Sequence, residues 1–200
     1  LDGVNDHVFF AGLISNYFER DDLTFSFFMK PVSDNSFETI FSKRVACDEE
    51  NVFAIRYSKL SRTITVELSE NVNKRAILST SIDFDKCWQH ITVVRQGGAV
   101  RLYMNGELRE TASTPTRIDI EGPAVLQIAE SPCIAASVEQ RYGGLLDEVR
   151  LYDRALTARE VEGLYAPLVP DNIITPDTTV FLGNDVQIVV SSTCVTDFSW

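Results

Sequence analysis

Two tight-turn signals lie in one run of alternating residues, "ITVVRQGGAVRLYMNGELRE" (91–110). Gly97-Gly98 and Asn105-Gly106 supply the positive φ angles that two-residue hairpin turns require. The flanking residues alternate between apolar and polar, as in half-buried antiparallel strands. The stretch therefore predicts a three-stranded meander. The apolar residues of its middle strand would share one buried face: Val100, Leu102 and Met104.

Most of residues 1–155 repeat this pattern of short strands and turns. "LTFSFFMKP" (23–31) ends near a proline, and "TITVEL" (63–68) alternates almost strictly. The 200 residues are 44% hydrophobic and 24% charged, a balance typical of a globular chain with one ordinary core. Many short strands with regular turns predict an all-β fold, a two-sheet antiparallel sandwich.

The charge of the chain excludes two classes of partner. The formal net charge is -11 and the pI is about 4.6. Nucleic acids and anionic membranes need a basic face, so neither is expected to bind. No apolar run approaches the roughly 20 residues that span a bilayer, so membrane insertion is not expected either.

One short helix is marked close to the end of the strand-rich region. Thr157 and Glu160 form a capping-box pattern, in which each side chain satisfies a free backbone N–H at the helix start. Leu156 and Val161 have the spacing of a hydrophobic staple. The helix is expected to end before Pro167 and to dock on the sandwich, closing the domain.

The sequence changes character after residue 166. Residues 167–177 are rich in proline, which predicts a linker. Residues 178–200 restart a strand–turn–strand pattern with Cys194 before Trp200, which resembles the start of an immunoglobulin-like domain. So short a tail, roughly 25 residues, cannot form a sandwich alone, so either the chain continues or the tail pairs with the first domain. The opening at Leu1 without an initiator methionine also favours a segment of a longer polypeptide.

Four motifs, in order, carry a resemblance to a known family. They are "LDGVNDHV" (1–8), "LTFSFFMKP" (23–31), "WQHITVVRQGGAVRLYMNGEL" (88–108) and "GGLLDEVRLYDRALTAREVEGLY" (143–165). Over residues 1–166 the chain resembles laminin-G-like, concanavalin A-like jelly-roll domains of bacterial secreted proteins, a superfamily that includes the pentraxins. The resemblance implies a jelly-roll sandwich with one short C-terminal helix, whose first and last strands lie close together.

The sequence departs from the family pattern at three places. Phe28 stands where the family often has tryptophan, a conservative change. The insertion-like stretches "ACDEEN" (46–51) and "SPCIAAS" (131–137) match no family feature.

The family resemblance implies recognition rather than catalysis. Such domains bind glycan or protein, or act as spacers, often beside immunoglobulin-like modules. We therefore expect a non-catalytic recognition or adhesion module of a secreted or cell-surface multidomain bacterial protein. Its partners would be a glycan or a surface protein, and neighbouring immunoglobulin-like domains of the same polypeptide. The alternative is an accessory or catalytic domain of a secreted polysaccharide-degrading enzyme.

The chain has four cysteines: Cys47, Cys87, Cys133 and Cys194. None is spaced as CxxC, so a zinc site is not expected. In a secreted chain, which the resemblance favours, one disulfide could form among the first three, leaving Cys194 for a partner beyond the end. In a cytosolic chain all four would be buried thiols.

Asp2 and Asp147 are candidate metal ligands. Calcium takes oxygens gathered from several loops, and the resemblance implies a rim site where the first and last strands meet. The alternative is that Asp2 and Asp6 accept backbone N–H bonds within the "DGVND" turn. By alternation, Asp147 would share the inner face with Leu145 and Val149, where a carboxylate needs a partner. A backbone turn, a nearby arginine or a calcium ion could each supply it.

Two pairs of carboxylates are the candidates for catalysis under the hydrolase alternative. Asp83 with Asp85, and Asp119 with Glu121, have the two-residue spacing that places both groups on one strand face. Retaining glycosidases need an acid/base and a nucleophile about 5 Å apart. Neither pair extends to the three-carboxylate strand of known jelly-roll hydrolases. The two histidines have no evident nucleophile nearby, so a catalytic triad is not expected.

Exposed aromatic side chains would be the platforms of a sugar site. Tyr17, Tyr57 and Tyr142 are the candidates for exposure. Trp88 and Tyr103 lie within the family's structural strands and are expected in or near the core. No constellation in the sequence specifies a particular sugar.

Overall fold

The computed structural model describes residues 1–10, 12–82 and 87–165, together with 172–173 and 190–191. The strands are, in chain order, β1 (Val8–Phe9), β2 (Leu23–Pro31), β3 (Phe37–Lys43), β4 (Val52–Ser58), β5 (Thr63–Asn71), β6 (Lys74–Ser81), β7 (Gln89–Gln96), β8 (Ala99–Met104), β9 (Glu107–Ser113), β10 (Gln127–Ile128), β11 (Gln140–Arg141), β12 (Gly144–Tyr152), β13 (Asn172–Ile173) and β14 (Val190–Ser191). The helices are a 3₁₀ helix (Leu13–Asn16), α1 (Tyr17–Arg20), α2 (Pro132–Ala135) and α3 (Ala158–Leu164). None of the helices in these ranges is long and apolar enough to cross a bilayer.

Two sheets form the predicted sandwich. One sheet has the order β1-β10-β3-β4-β5-β6, with β11 added in parallel to β3, and the other has the order β12-β2-β7-β8-β9. The predicted meander is β7-β8-β9, and both residues of its Asn105-Gly106 turn have positive φ angles, 53° and 80°. The fold class is therefore confirmed as a two-sheet antiparallel jelly roll with a short C-terminal helix.

The core between the sheets is built from alternating aromatic residues. Phe25 and Phe27 project inward from β2, and both rings contact Phe41 of β3 edge-on, with centroids 4.8 and 4.7 Å apart. Val100, Leu102 and Met104 of β8 are buried in the same cluster, as predicted. Edge-to-face aromatic contacts add to the stabilisation from burial, so this cluster is the principal link between the sheets.

Two buried cations fasten the irregular segment 114–126 to the sandwich. Arg95 is fully buried and donates five hydrogen bonds to four backbone carbonyls, among them Ile118 at 2.7 Å and Phe18 at 2.8 Å. Burial lowers the pKa of Arg95 to about 10. Lys43 donates to the carbonyl of Ile120 at 3.0 Å. Because every N–H of the Arg95 side chain meets a carbonyl, its burial is compensated.

Strand β12 differs from the prediction at Asp147. Asp147 pairs with Phe28 and Arg150 with Ser26, so two residues of β12 oppose the single Phe27 between them. This is a β-bulge, and Glu148 at its centre has a φ of 51°. The bulge shifts the alternation. Leu146 and Leu151 pack against the core, whereas the residues predicted to face inward beside Leu151 are exposed: Leu145, Asp147 and Val149.

The helix docks on the outer face of the five-stranded sheet, as predicted. Thr157 Oγ1 accepts the Glu160 N–H at 3.3 Å, and a Glu160 carboxylate oxygen accepts the Thr157 N–H at 2.8 Å, which completes the capping box. Val161 and Leu156 are buried against Val94 of β7. The helix ends at Leu164, before Pro167 as expected.

The segment 166–200 lies almost entirely outside the described residues. Within it the structure describes one short antiparallel pair, β13 with β14. The linker at 167–177 and the immunoglobulin-like start at 178–200 therefore stay predictions. Asp83 and Asp85 also lie outside the described residues.

A buried Ser–His pair lies on the outer face of the five-stranded sheet. Ser26 Oγ is 2.8 Å from His90 Nε2, and both residues are buried beside the ring of Tyr165. His90 Nδ1 is buried without a hydrogen-bond partner. A serine thus does lie beside a histidine, contrary to expectation, but a pair closed off from solvent cannot reach a substrate. The other histidine, His7, is exposed and precedes β1.

Burial, with a smaller contribution from Arg150, lowers the pKa of His90 to about 4. The unfolded chain then binds more protons than the folded chain between this value and about pH 6.5. We therefore expect the free energy of unfolding to fall by about 3 kcal/mol as the pH drops through this window. Denaturant titrations at several pH values measure the effect.

The variant His90→Gln is expected to lose this pH dependence between pH 6.5 and 4.5, since it removes the titrating group. His7→Gln changes the exposed histidine and should behave like the parent chain. A parent and a His90→Gln variant with the same pH profile would contradict the assignment.

Candidate functional site

An open cleft of about 630 Å³ lies where three segments of the chain meet. They are the N-terminal turn, the connection from β2 into β3, and the segment from α2 to β11. The lining residues are Gly3, Val4, Asn35, Ser36, Phe37, Ile134, Ser137, Val138, Glu139, Gln140 and Arg141. A concave surface of this size with a few convergent polar groups is the usual form of a ligand site.

The wall of the cleft comes from an excursion of the chain between β10 and β11. Both strands pair with β3, β10 at Phe41 and Ser42 and β11 at Glu38 and Thr39. Residues 129–139 leave the sheet after β10, form the short helix α2 and return at β11. This excursion contains "SPCIAAS", one of the two stretches that match no family feature.

A disulfide joins the two unmatched stretches to each other. Cys47 of "ACDEEN" bonds Cys133 of "SPCIAAS", across a sequence separation of 86 residues. One disulfide among the first three cysteines is therefore confirmed. Cys87 is also disulfide-bonded, and the expectation for Cys194 lies outside the described residues.

Local hydrogen bonds fix the path of the excursion on either side of the disulfide. The Ser131 hydroxyl caps α2 by accepting the Cys133 N–H at 3.1 Å. The Cys133 carbonyl accepts the N–H groups of Val138 at 2.9 Å and Glu139 at 3.2 Å. These bonds turn the chain back on itself, so that Glu139 points down onto β3 and β4.

Glu139 anchors the excursion to the seven-stranded sheet. Its carboxylate accepts hydrogen bonds from the Thr39 hydroxyl and from Arg56 Nη1, the latter at 3.1 Å, and the side chain is buried. Arg44 lies 3.9 Å from the same carboxylate. A buried carboxylate needs such partners, because the cost of removing it from water is otherwise uncompensated.

Arg56 connects the anchor to the floor of the cleft. Its two terminal nitrogens bind different carboxylates, Nη1 that of Glu139 and Nη2 that of Glu67. The centre of the guanidinium lies 5.9 Å from the centroid of the Phe37 ring, a cation–π distance. Phe37 is half-buried and is held between this guanidinium and the open cleft.

The opposite rim is held by side-chain amides. Asn35 Nδ2 donates to the carbonyls of Arg141 at 3.1 Å and Gly3 at 3.3 Å, and Gln140 Oε1 accepts the Ser36 N–H at 2.9 Å. Gly3 has a φ of 76°, and a Cβ there would lie 3.1 Å from the Asn35 amide. The rim therefore requires glycine at this position.

Apolar surface at the cleft is exposed on the two facing rims. Val138 is 62% exposed on the excursion, and Val4 is 72% exposed on the N-terminal turn. Together with the ring of Phe37 they present a hydrophobic surface between polar groups. That combination suits the mixed apolar and hydroxyl faces of a sugar, or a peptide side chain.

Glu38 is buried directly behind the rim. Its Oε1 accepts the Gly143 N–H at 3.1 Å and the Ser33 hydroxyl, whereas Oε2 is buried without a partner. Burial raises the pKa of Glu38, against opposing hydrogen bonds from Ser33 and Gly143. Because it joins β3 to the start of β12, Glu38 supports the strands that carry the cleft.

The structure does not bring the two predicted calcium ligands into a shared contact among the described residues. Asp2 Oδ1 accepts the N–H groups of Val4, Asn5 and Asp6 at 2.8 to 3.3 Å, which lower the pKa of Asp2. Asp147 Oδ1 accepts the Glu148 N–H at 2.8 Å within the β-bulge. Both carboxylates are thus paired with backbone N–H groups, which is the alternative to calcium that the sequence suggested.

The N-terminal segment meets the start of β12 at one bridge, whereas the first strand, β1, pairs with β10 of the other sheet. Asp2 pairs with Gly143, four residues before Asp147 along the chain, and the Leu1 carbonyl accepts the Gly144 N–H at 3.0 Å. Within residues 1–10, 12–82 and 87–165, no group of three histidine, cysteine or acidic residues is placed to hold a metal.

The sequence reasoning was partly wrong about the aromatic candidates. Tyr17 is 39% exposed, as expected, but Tyr57 and Tyr142 are buried in the core. Tyr142 donates to the Leu145 carbonyl at 3.3 Å, and burial raises its pKa. Tyr103 is buried, as expected, and Trp88 is half-buried. The aromatic residue of the cleft, Phe37, was not among the candidates.

Of the carboxylate pairs considered for the hydrolase alternative, Asp119 and Glu121 do not line the cleft. Asp119 forms an ion pair with Arg117 at 3.0 Å, and Glu121 is exposed, while Ile118 and Ile120, on either side of Asp119, enter the core. The residues that build the cleft, Arg56 and Glu139 above all, were missed. The sequence signal that could have located them is the cysteine in each of the two stretches, 46–51 and 131–137, that lack a family counterpart.

A family model of the concanavalin A-like lectin/glucanases superfamily, of the laminin-G type, matches residues 2–162. The chain belongs to this superfamily, as the four motifs indicated.

Solved structures with the same fold differ widely in sequence. The CBM40 domain of the Ruminococcus gnavus IT-sialidase, bound to α2,3-sialyllactose, has a TM-score of 0.63 at 13% identity, over 76% of this chain and 86% of that one. A heptameric SAP-like pentraxin from Limulus polyphemus has a TM-score of 0.56 at 20% identity, over 86% of this chain and 80% of that one.

The binding domain of Botulinum Neurotoxin DC, in complex with SialylT, has a TM-score of 0.61 at 16% identity over 84% of this chain. This chain spans 40% of that domain's length. At these identities the likenesses define the architecture and leave the ligand open.

Removing the Cys47–Cys133 disulfide is expected to release the excursion while the sandwich stays folded. The double variant Cys47→Ser, Cys133→Ser should lose on the order of 4 kcal/mol of unfolding free energy, because the bond closes a long loop in the unfolded chain. Amide hydrogen exchange should quicken in residues 129–141. Peptides from the β7–β9 meander are the internal control, and equal protection of 129–141 in both proteins would contradict the anchoring role.

Proposed function

We propose that this chain is a non-catalytic recognition module that binds a glycan in the cleft. The observation that carries the proposal is the cleft itself, about 630 Å³, with the half-buried ring of Phe37 between side-chain amides and hydroxyls. Sugars present apolar C–H faces and hydroxyls together, and an aromatic ring with nearby amides complements both.

The comparisons support a glycan as the ligand class. The CBM40 domain was solved with sialyllactose and the toxin domain with SialylT, on the same architecture. Sandwich folds carry their ligand sites on loops. In this chain the loops at the cleft include one of the two disulfide-linked stretches, 131–137, so its own residues set the sugar that it binds.

The carboxylates at the cleft favour recognition over hydrolysis. Among the described lining residues, Glu139 alone carries a carboxylate. The Arg56 guanidinium binds the carboxylates of both Glu139 and Glu67. A retaining glycosidase needs its two carboxylates on either side of the scissile bond, whereas here an arginine side chain joins them.

The second candidate is an accessory or catalytic domain of a secreted polysaccharide-degrading enzyme. The observation in its favour is that the CBM40 relative belongs to a sialidase. A reducing-end assay on purified protein separates the two: a catalytic domain releases sugar ends, and Glu139→Gln abolishes the release. Binding without release supports a recognition module.

We also propose that the protein works outside the cell, on a cell surface or in the medium, beside immunoglobulin-like domains. The Cys47–Cys133 disulfide supports this compartment, because such bonds persist where conditions are oxidising.

Replacing Phe37 by alanine is expected to weaken glycan binding about tenfold or more, because the ring supplies the apolar contact in the cleft. Binding is screened on a glycan array and measured by isothermal titration with the strongest glycan. Phe9→Ala is the matched control, since Phe9 is a phenylalanine that is 62% exposed on β1 and does not line the cleft. Equal losses in both variants would contradict binding at the cleft.

Calcium as a structural ion at Asp2 and Asp147 stays a prediction. A bound ion stabilises the folded state by mass action, so the melting temperature should rise with calcium and fall with EDTA. Asp2→Asn should remove the response, with Asp153→Asn as a control on a different acidic residue. Identical melting curves in calcium and EDTA would count against the ion.

A further inference from the structure

We infer that the cleft selects an uncharged saccharide and discriminates against sialylated or uronate-containing glycans. This inference rests on the proposed glycan-binding function and names the class of its ligand. It follows from how the charges around the cleft are paired.

The ionisable side chains among the described lining residues are Glu139 and Arg141. Glu139 is buried and bound by Thr39 and Arg56. Arg141 forms an ion pair with Glu130, and its side chain is about one quarter exposed. Both charges of the lining are therefore already compensated by partners within the protein.

The arginines behind the lining are compensated as well. Arg56 binds the carboxylates of Glu67 and Glu139, and Arg44 lies beside Glu139. Three guanidinium groups thus face three carboxylates, those of Glu67, Glu130 and Glu139. An anionic ligand needs a cation that is free or can exchange partners, and here it would have to displace a carboxylate from a largely buried pair.

The surroundings of the cleft are acidic. Asp2 and Asp6 lie on the N-terminal turn beside the Gly3–Val4 rim and are joined by the Asp2 N–H, which donates to Asp6 Oδ2 at 3.0 Å. The whole chain carries a net charge of -11. The long-range field therefore repels anions and acts weakly on a neutral sugar.

The polar groups that line the cleft suit hydroxyl groups. Arg141 Nε is buried without a hydrogen-bond partner, although the terminal nitrogen of the same side chain binds Glu130. Bidentate carboxylate recognition needs two parallel donors, and the buried Nε cannot serve as one of them for a ligand in the cleft. The remaining side chains of the rims are amides, hydroxyls and apolar groups: Asn35, Ser36, Phe37, Ser137, Val138 and Gln140.

A glycan array with matched pairs tests the inference directly. It carries lactose beside 3′-sialyllactose, N-acetyllactosamine beside its sialylated form, and neutral hexose oligosaccharides beside uronate-containing ones. We expect binding to neutral members and a loss of at least severalfold on their charged counterparts, a loss that shrinks as salt is raised because it is partly electrostatic. Titration calorimetry on the best pair gives the ratio.

Each outcome has one meaning. Tighter binding to the charged member of the pairs overturns the inference and leaves the proposed glycan-binding function standing. Absence of binding to every member, neutral and charged, overturns the proposed function. Binding to neutral members that weakens when the sugar carries an acidic group supports both the inference and the proposed function.

A charge-neutralising variant tests whether the pairing of Arg141 with Glu130 causes the discrimination against charged glycans. Glu130→Gln keeps the side-chain oxygen that accepts the Ser131 N–H at 3.0 Å but removes the charge that compensates Arg141. It should raise affinity for the charged glycan about twofold to fivefold, the range of a partly exposed ion pair. Glu107→Gln breaks the surface pair with Arg109 on β9 instead and should change neither affinity. No gain in Glu130→Gln would contradict the charge argument.

Discussion

The buried contact between Glu139 and Arg56 is the interaction on which the cleft depends. The chain leaves the sheet after β10, and the carboxylate brings it back to β3, where β11 pairs in parallel. Breaking one partner of a buried ion pair costs about 3 to 5 kcal/mol, because the other charge is left uncompensated. The Cys47–Cys133 disulfide holds the same excursion from its other end. The wall of the cleft is thus fastened at two points.

This arrangement separates the architecture from the ligand site. The sandwich belongs to the superfamily and is shared with proteins of less than one quarter identity. The cleft is lined by stretch 131–137, which has no counterpart in the family pattern, and by loop residues beside it; the disulfide ties this stretch to 46–51. Loops can change without disturbing the core, since they add few contacts to it. The family therefore predicts that something is recognised, and the chain's own loops decide what.

The sequence was informative where structure is local. Asn105-Gly106 specified its turn because few other residues adopt two successive positive φ angles, and Thr157 with Glu160 specified the helix start by satisfying neighbouring N–H groups. Alternation failed at Asp147 because the β-bulge adds one residue opposite Phe27. A bulge at a non-glycine residue leaves no clear mark in the sequence, since Glu148 is not a residue that favours positive φ.

The sequence by itself determined the fold class, the meander, the capped helix and the superfamily, because turns, caps and alternation act between residues close in the chain. Only the tertiary structure decided that Cys47 meets Cys133, that Arg56 binds both Glu67 and Glu139, and that Tyr57 and Tyr142 are core residues. These contacts join residues far apart in the chain. Their formation depends on the order of strands in the sheet, a global property that no local pattern contains.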